Sequence, residues 1–424
     1  MLNSPQAVPP APSTSVDLAE DRITGLPRPQ RLESLDVFRG LTVAGMLLVN
    51  DPGRRDAVYA PLSHAAWHGW TPTDLVFPFF IFIVGISTHL SLSARRARGA
   101  APQVLRRQIL RRAALIFLIG VGLHWFPFYT YGPMPEAADA GLTARIGDSL
   151  LHLRLPGVLQ RIALCYLAGG VLTLCAGWRT QVAVLGAVLL GYWAMLMSVP
   201  VPDTGATGLA AIAEPSATLG AWIDRRLFDW GPWGAHLWRY SVTWDPEGAL
   251  STLPAIGTVI LGLLAGRWIG QDRPLGQRIR LLFAAGVAGI LLGLAWGLAL
   301  PINKNLWTSS YVLFAGGAGA ALLALLMLAI EVKGWRRWAE PFLVFGVNPI
   351  LAYALSEATG TVIYSWWTTL REDGAVGVER LFTDLVFSRW LPPKLASLAF
   401  ALTYVAAFYL LLRAVHKRGL ILKV

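Results

Sequence analysis

Residues 73–93 read Thr73-Asp-Leu-Val-Phe-Pro-Phe-Phe-Ile-Phe-Ile-Val-Gly-Ile-Ser-Thr-His-Leu-Ser-Leu-Ser93. A helix of roughly 20 predominantly apolar residues is long enough to cross the hydrocarbon core of a bilayer, which is about 30 Å thick. The whole 424-residue chain has the same character, because 55% of its residues are hydrophobic and only 14% are charged. Its mean hydropathy is +0.52. This composition is typical of a membrane protein and not of a soluble domain.

Other apolar segments of similar length recur along the chain, so the sequence predicts an all-α polytopic membrane protein, a bundle of about ten transmembrane helices. Most connections between them are short, which predicts that residues 31–424 form one transmembrane domain. The predicted spans lie at about 35–50, 73–93, 108–124, 155–176, 180–198, 251–268, 281–300, 309–330, 341–362 and 395–413.

Basic residues are concentrated in every second connection of this predicted bundle. Short loops rich in Lys and Arg stay in the cytoplasm, so both termini are predicted to be cytoplasmic and the loop before residue 73 to lie on the outer side. The formal net charge of +11 follows from this topology, and no nucleic acid partner is expected. The residues that set the orientation are Arg95, Arg96, Arg98, Arg106, Arg107, Arg111, Arg112, Arg267, Arg273, Arg278, Arg280, Lys333, Arg336, Arg337, Lys417, Arg418 and Lys423.

Two kinds of segment lie outside the predicted spans. Residues 1–30 are rich in Pro, Ser and Ala and lack an apolar run, which predicts a disordered cytoplasmic tail and not a signal peptide. Three outer segments are long, at about 125–154, 199–250 and 368–394. The middle one contains tryptophans that either lie along the membrane interface or form a cap over a substrate site. These are Trp222, Trp230, Trp233, Trp238 and Trp244.

The first predicted span contains polar side chains, which are costly in a membrane and usually mark function. At 100° per residue, Asp36 and Asn50 both fall within about 60° of Arg39, so the three share one helix face. That face is expected to look into the bundle. An alternative interpretation is that Asp36 and Arg39 form an ion pair near the cytoplasmic end that fixes helix packing.

The loop before the second span contains two histidines, His64 and His68, followed by Thr71-Pro-Thr-Asp74. Thr71 fits a helix N-cap and Asp74 the third helical position, so Asp74 is predicted to be structural rather than catalytic. No metal is expected, because a glycine directly follows the histidine pair and no third ligand lies nearby in sequence. His64 is predicted to be a general base for an ammonium nucleophile. The alternative is an exposed loop histidine without a role.

More polar groups recur near the outer ends of other spans and are expected to line one cavity with those of the first span. Arg161 lies about two turns inside its predicted helix, too deep for snorkelling alone to explain it. The remaining groups are Arg154, Asp245, Glu247, Lys304, Trp307 and Asn348.

Several ordered blocks of the chain resemble the heparan-alpha-glucosaminide N-acetyltransferase family and its bacterial relatives. The similarity begins at about residue 31 and continues to the C-terminus. The blocks are Arg31-Leu-Glu-Ser-Leu-Asp-Val-Phe-Arg-Gly40, Asn50, His64-Ala-Ala-Trp67, Asp74-Leu-Val-Phe-Pro78, Leu155-Pro-Gly-Val-Leu-Gln-Arg161, Asp245-Pro-Glu-Gly248, Pro301-Ile-Asn-Lys-Asn-Leu-Trp307 and Val347-Asn-Pro-Ile-Leu-Ala-Tyr353.

The resemblance implies a homodimeric enzyme that takes acetyl from cytoplasmic acetyl-CoA and delivers it to the amine of a glucosamine unit across the membrane. For a bacterial relative, that membrane is the inner membrane and the far side is the periplasm. The family's catalytic histidine corresponds to His64 and an active-site asparagine to Asn50, whereas His68 departs from the family pattern, which has Asn. The long lumenal N-terminal region of the animal enzyme is not found in this sequence, so an acceptor other than heparan is expected.

The resemblance also suggests roles for the remaining polar groups. Cationic and amide side chains are candidates to neutralise the phosphates of acetyl-CoA or a developing oxyanion. Carboxylates and an aromatic side chain are candidates to bind the amino sugar. The cofactor-binding candidates are Arg39, Arg154, Arg161, Lys304 and Asn348, and the substrate-binding candidates are Asp245, Glu247 and Trp307.

Two chemical routes and two other functions stay open at the level of sequence. His64 either deprotonates the sugar ammonium for direct attack on the thioester or is acetylated first and passes the acetyl group on. The same polar groups would also suit O-acyl transfer to a cell-envelope glycan. A sugar transporter with His64 as a proton relay is the alternative from another class of protein.

Overall fold

The computed structural model describes residues 32–129, 141–231, 234–238, 243–371, 374–420 and 422. The predicted tail at 1–30 and Trp233 lie outside these ranges. The described chain is all-α apart from one antiparallel hairpin of β1 (Thr368–Arg371) and β2 (Gly374–Gly377). Its helices are α1 Glu33–Asn50, α2 Val76–Ala97, α3 Pro102–Trp125, α4 Leu142–Leu151, α5 Val158–Cys175, α6 Trp178–Ser198, α7 Leu219–Phe228, α8 Ala249–Ile269, α9 Leu275–Gly297, α10 Ser309–Met327, α11 Glu340–Val347, α12 Pro349–Thr361, α13 Val378–Phe382 and α14 Pro393–Lys417.

The described part of the chain has eight helices that are long and apolar enough to cross a membrane, and a bent helix pair that would make nine. This confirms an all-α, multi-pass membrane protein. Helix α1 coincides with the first predicted span, but it is only 18 residues long and contains Glu33, Asp36 and Arg39, so it is not one of these eight helices. Each of the other predicted spans also coincides with a helix or, at 341–362, with the bent pair.

The bend between α11 and α12 is 76° and lies at Asn348. Pro349 has no amide hydrogen to continue a helical ladder, and it disfavours helical dihedral angles at the residue before it. Asn348 accordingly has a ψ of 57°. The ninth predicted span is therefore a broken helix, and the break lies beside the two cavities described below.

Glycines allow the central helices to approach closely. A Cβ atom on Gly40 of α1 would collide with the backbone of Phe342, just before the middle of α11. Between α2 and α8, a Cβ atom on Gly85 would collide with the carbonyl oxygen of Val259, and Gly262 lies equally close to α2. Close packing of α1, α2, α8 and α11 thus brings the polar face of α1 into the centre of the bundle.

Helices α2 and α8 run parallel, because Gly85 lies against Gly262 and Leu90 lies against Gly270. Their C-terminal ends, with Arg96 and Arg267, therefore lie at the same end of the bundle and line one pocket. The opposite end carries the His64 loop and the segment before α8. This arrangement agrees with the alternation of basic loops in the sequence, while the orientation of the termini in a membrane stays a prediction.

The long segment between α6 and α8 packs over that opposite end. Its turn Gly208–Ile212 and helix α7 bury apolar side chains against Tyr192 and Leu250, at the ends of α6 and α8. The indole Nε1 of Trp67 donates a hydrogen bond of 2.8 Å to the carbonyl oxygen of Ile212. The segment is thereby fixed to the loop that carries His64.

Candidate active site

The His64 loop ends in the predicted helix start. Thr71 is the N-cap of a short turn, Pro72–Leu75, that leads directly into α2, and Thr71 and Asp74 form a capping box. The backbone amide of Thr71 donates to Asp74 Oδ2 at 3.0 Å. The predicted structural role of Asp74 is confirmed, since its carboxylate satisfies donors that the helix start leaves without partners.

Asp74 also contacts His64, which the sequence did not predict. The distance between His64 Nδ1 and Asp74 Oδ1 is 2.7 Å. The Asp74 side chain is only 2% exposed, whereas that of His64 is 49% exposed. An ionised carboxylate only accepts hydrogen bonds, so Nδ1 must carry the proton. The lone pair of the neutral imidazole is then on Nε2, where it can accept a proton from a substrate.

Lys304 lies beside both His64 and Asp74. Its Nζ is 3.2 Å from His64 Nδ1, 3.4 Å from His64 Nε2 and 3.8 Å from Asp74 Oδ1. Burial lowers the pKa of Lys304 below its ordinary value, and the carboxylates of Asp74 and Glu247 offset part of this effect. The structure therefore brings the Lys304 cation to the His64 imidazole and the buried Asp74 carboxylate, although Lys304 and His64 are 240 residues apart in the chain.

His64 and Lys304 line a cavity of about 420 Å³. The cavity, which we call the outer cavity, unites five of the residues predicted for the site. The side-chain amide of Asn50 makes no hydrogen bond with any other described residue, so both its donor and its acceptor are available to a ligand. The predicted site residues that line the outer cavity are Asn50, His64, Arg154, Glu247 and Lys304.

Arg154 is held by two carboxylates. Its Nε donates to Asp245 Oδ2 at 2.8 Å and its Nη2 donates to Glu247 Oε2 at 2.6 Å. Burial alone would raise the pKa of Glu247, but the charges of Arg154, Arg161 and Lys304 outweigh it and keep that pKa below its usual value. Glu247 is therefore an ionised group in the cavity wall, while Arg154 and Asp245 clamp the segment that carries it.

Replacing Arg154 by Ala is expected to lower the free energy of unfolding by about 3–5 kcal/mol, because it leaves buried carboxylates without their cation. The Asp245 side chain has no exposed area, so water cannot replace the arginine there. The measurement is the thermal unfolding of the detergent-purified variant.

The control for Arg154→Ala is Arg336→Ala. Arg336 pairs with Glu33 at 3.3 Å but is 62% exposed, so its loss should cost no more than about 1 kcal/mol. Equal loss of stability in the two variants would contradict the proposed clamp.

Besides the fully buried Asp245, three predicted site residues lie behind the cavity wall or away from it. Arg161 is 1% exposed and donates to Ser251 Oγ at 2.5 Å. Trp307 is fully buried, lies 5.1 Å from the Arg161 guanidinium and packs edge-on against Phe77, which itself lines the outer cavity. Asn348 binds the C-terminal segment, since its Nδ2 donates to the carbonyl oxygen of Leu420 at 3.1 Å. In this structure these three side chains contact protein groups.

Arg39 lines a second cavity of about 620 Å³, which we call the inner cavity. Its Nη1 donates to Asp36 at 2.9 Å, which confirms the predicted ion pair, and its Nη2 donates to Ser87 Oγ at 2.8 Å. The wall of the inner cavity also contains Arg95, Arg111 and Arg112. The inner and outer cavities share five wall residues, which are Phe80, Leu159, Ile162, Pro349 and Ile350.

Sequence reasoning did not assign other parts of the outer cavity to the site. Trp238 and Trp244 line it, which agrees with the cap interpretation of the middle outer segment for these two residues. Tyr353 of α12 lines it as well. Besides its place in the tryptophan-rich outer segment, the sequence signal for Trp244 was its position directly before the Asp245-Pro-Glu-Gly248 block.

Comparison with known proteins agrees with the resemblance of the motifs. A family model described as heparan-alpha-glucosaminide N-acetyltransferase, catalytic, matches residues 31–224. The Homo sapiens protein of that name is 33% identical over 397 residues, which cover 83% of this chain and 56% of the relative. The chain belongs to the heparan-alpha-glucosaminide N-acetyltransferase family. The Mus musculus relative is 32% identical over 367 residues, covering 76% of this chain and 53% of the relative.

The chain spans just over half the length of these relatives of the heparan-alpha-glucosaminide N-acetyltransferase family. The region matched by the family model contains Asn50, His64 and Arg154. Glu247 and Lys304 complete the outer cavity from beyond that region. The candidate active site is therefore built from both halves of the chain.

Proposed function

We propose that this protein is a transmembrane N-acetyltransferase. It moves the acetyl group of cytoplasmic acetyl-CoA to the amine of a glucosamine-type sugar on the periplasmic side of a bacterial inner membrane. The observation that carries the proposal is the presence of two neighbouring cavities of different chemistry. The inner cavity is rich in arginine, the outer cavity contains His64 and Asn50, and they share wall residues in the middle of the bundle.

Acetyl-CoA is a co-substrate whose two ends suit the two cavities. Its phosphates would lie in the inner cavity, where Arg95, Arg111 and Arg112 form no ion pair with a carboxylate of the described residues. Guanidinium groups bind phosphate well because they present several donors in a planar fork. The narrow pantetheine arm would pass Phe80 and Ile350 and present the thioester in the outer cavity.

A double variant, Arg111→Gln with Arg112→Gln, is expected to raise the KM for acetyl-CoA about tenfold, since two partly solvated charge-assisted hydrogen bonds would be lost. The loss should shrink as salt is added, because exposed charges are screened. The matched control is Arg106→Gln with Arg107→Gln on the same helix α3, which removes equal charge away from the inner cavity. Equal effects of the two double variants would reduce the role of these arginines to general surface charge.

In the proposed reaction, His64 Nε2 removes one proton from the sugar ammonium. The nitrogen lone pair then attacks the thioester carbon and forms the C–N bond. Collapse of the tetrahedral oxyanion breaks the C–S bond and releases the CoA thiolate. The nitrogen loses a second proton, which protonates the thiolate and gives the CoA thiol. One proton is released overall. His64 is half exposed, so this proton has a direct route to water.

Two groups would stabilise the oxyanion. The Asn50 amide can donate to it, and so can the Lys304 ammonium, whose Nζ lies 3.4 Å from His64 Nε2. Hydrogen-bond donors fixed before the reaction stabilise developing charge without reorganisation. Asp74 would hold the imidazole in the tautomer that accepts the proton, which is a positioning role.

The alternative route through acetyl-His64 uses the same nitrogen. Incubation of the protein with labelled acetyl-CoA and no acceptor distinguishes the two routes. Label that stays covalently on the protein would support the acetyl-histidine, whereas the direct route predicts none. Steady-state kinetics that require both substrates to be bound to the protein at the same time would favour direct transfer.

The central experiment is mass spectrometry of the products from purified protein, acetyl-CoA and a panel of amino sugars. An N-acetylated hexosamine is the expected product. An ester would indicate O-acyl transfer, and accumulation of unmodified sugar in proteoliposomes without acetyl-CoA would indicate transport. The homodimer implied by the family stays a prediction that native mass spectrometry would test.

A further inference from the structure

Three connected tryptophans form an aromatic wall, and two of them line the outer cavity. Trp244 and Trp238 line the cavity, and their ring centroids are 5.5 Å apart with an interplanar angle of 72°. Trp67 packs edge-on against Trp244, with ring centroids 5.6 Å apart. Its own indole is fixed by the hydrogen bond to Ile212. Such edge-to-face contacts hold the rings in place, and the parts of Trp238 and Trp244 that line the cavity can contact a ligand.

The same segment supplies a polar partner beside this wall. Glu247 follows Trp244 by three residues, and Glu247, Trp244 and His64 line the same cavity. Arg154 and Asp245 hold the segment between them through their ion pair. These protein contacts fix the side chains before any ligand binds, so the wall is preorganised and ligand binding does not have to order it.

We propose that Trp244, supported by Trp238 and Trp67, is the surface on which the pyranose ring of the acceptor stacks. This rests on the proposed function and adds the feature by which the enzyme selects a cyclic sugar. A pyranose has one face of C–H groups that can cover an indole and an edge of hydroxyls that can donate to a carboxylate. With the ring on Trp244 and its hydroxyls on Glu247, the amine is directed to His64.

An open-chain amine has no flat face and gains little from the wall. Specificity is a ratio of kcat/KM values, so the contribution of Trp244 can be measured by comparing two acceptors. Glucosamine and its reduced open-chain amino alditol carry the same carbon number and an amine at the same carbon. Glucosamine forms a pyranose ring, whereas the amino alditol cannot.

The experiment measures kcat/KM for glucosamine and for the amino alditol with the wild-type protein and with Trp244→Ala. The wild type should prefer the ring, and Trp244→Ala should reduce this preference about tenfold, which corresponds to one aromatic contact. The KM for acetyl-CoA should stay unchanged. Trp244→Phe should retain most of the preference because it keeps an aromatic face.

The matched control is Trp230→Ala, in the same outer segment, because Trp230 is 49% exposed and does not line the cavity. An equal loss of kcat/KM for both acceptors in Trp244→Ala would overturn the stacking role and leave the proposed acetyl transfer intact. A preference that is unchanged in Trp244→Ala would overturn it as well. A wild-type protein that acetylates no amino sugar would overturn both the proposed function and this inference.

Discussion

Replacing His64 by Ala should lower kcat by about 10²- to 10⁴-fold, which is the usual contribution of a positioned general base. Without the imidazole, only the small fraction of amine that is unprotonated in solution can attack the thioester. His64 is half exposed and its one strong side-chain hydrogen bond is to Asp74, so the variant should remain folded. The measurements are acetyl transfer, acetyl-CoA binding and thermal unfolding of the purified variant.

His68→Ala is the matched control for this prediction. His68 lies four residues further along the same loop, outside the outer cavity, with its Nδ1 3.3 Å from the Asn303 amide. Its removal should leave transfer close to the wild-type rate. Wild-type turnover in His64→Ala would refute the general-base role, and so would equal losses in the two variants.

Asp74→Asn should lower kcat by about 10²- to 10⁴-fold while the KM for acetyl-CoA stays close to the wild-type value. An amide can donate a hydrogen bond to His64 Nδ1, which would move the imidazole proton to Nε2. The lone pair that accepts the substrate proton would then point at residue 74, as in other carboxylate–histidine pairs in which the carboxylate is replaced. Steady-state kinetics with both substrates varied would separate the effect on kcat from effects on KM.

The control for Asp74→Asn must separate positioning from helix capping, since Asp74 does both. Thr71→Val removes the Thr71 hydroxyl, which bonds to the carbonyl oxygen of Ser63 at 2.6 Å, but leaves the His64 contact in place. Its expected cost is about 1 kcal/mol of stability, with little change in kcat. If Thr71→Val slowed transfer as much as Asp74→Asn, Asp74 would act only through the helix start.

The sequence predicted the helices well because span length and hydropathy are properties of consecutive residues. The run at 73–93 lies within a helix that continues to Ala97, and the Thr71–Asp74 capping box forms as expected. The Asp36–Arg39 pair is likewise local, three residues apart on one helix. Even the break at Asn348 follows from the proline that comes next, although the sequence alone indicated one continuous span.

The site was predicted less completely because its contacts join distant parts of the chain. Asp74 showed its capping role in the sequence, but its second oxygen reaches His64 only because the loop folds back on the helix start. Trp307 looked like a cavity residue, yet it is fully buried behind Phe77. No local pattern distinguishes a tryptophan that faces a cavity from one that supports its wall.

By itself, the sequence determined that the chain crosses a membrane many times, where along the chain the spans lie, and which family its motifs resemble. Tertiary structure alone decided that Lys304 lies beside His64, that Arg154 is bound by Asp245 and Glu247, and that Trp244 faces the outer cavity. The physical reason is the range of the interactions. Hydropathy and capping act over a few consecutive residues, whereas a side chain's neighbours across the bundle depend on how closely the glycine-lined helices pack.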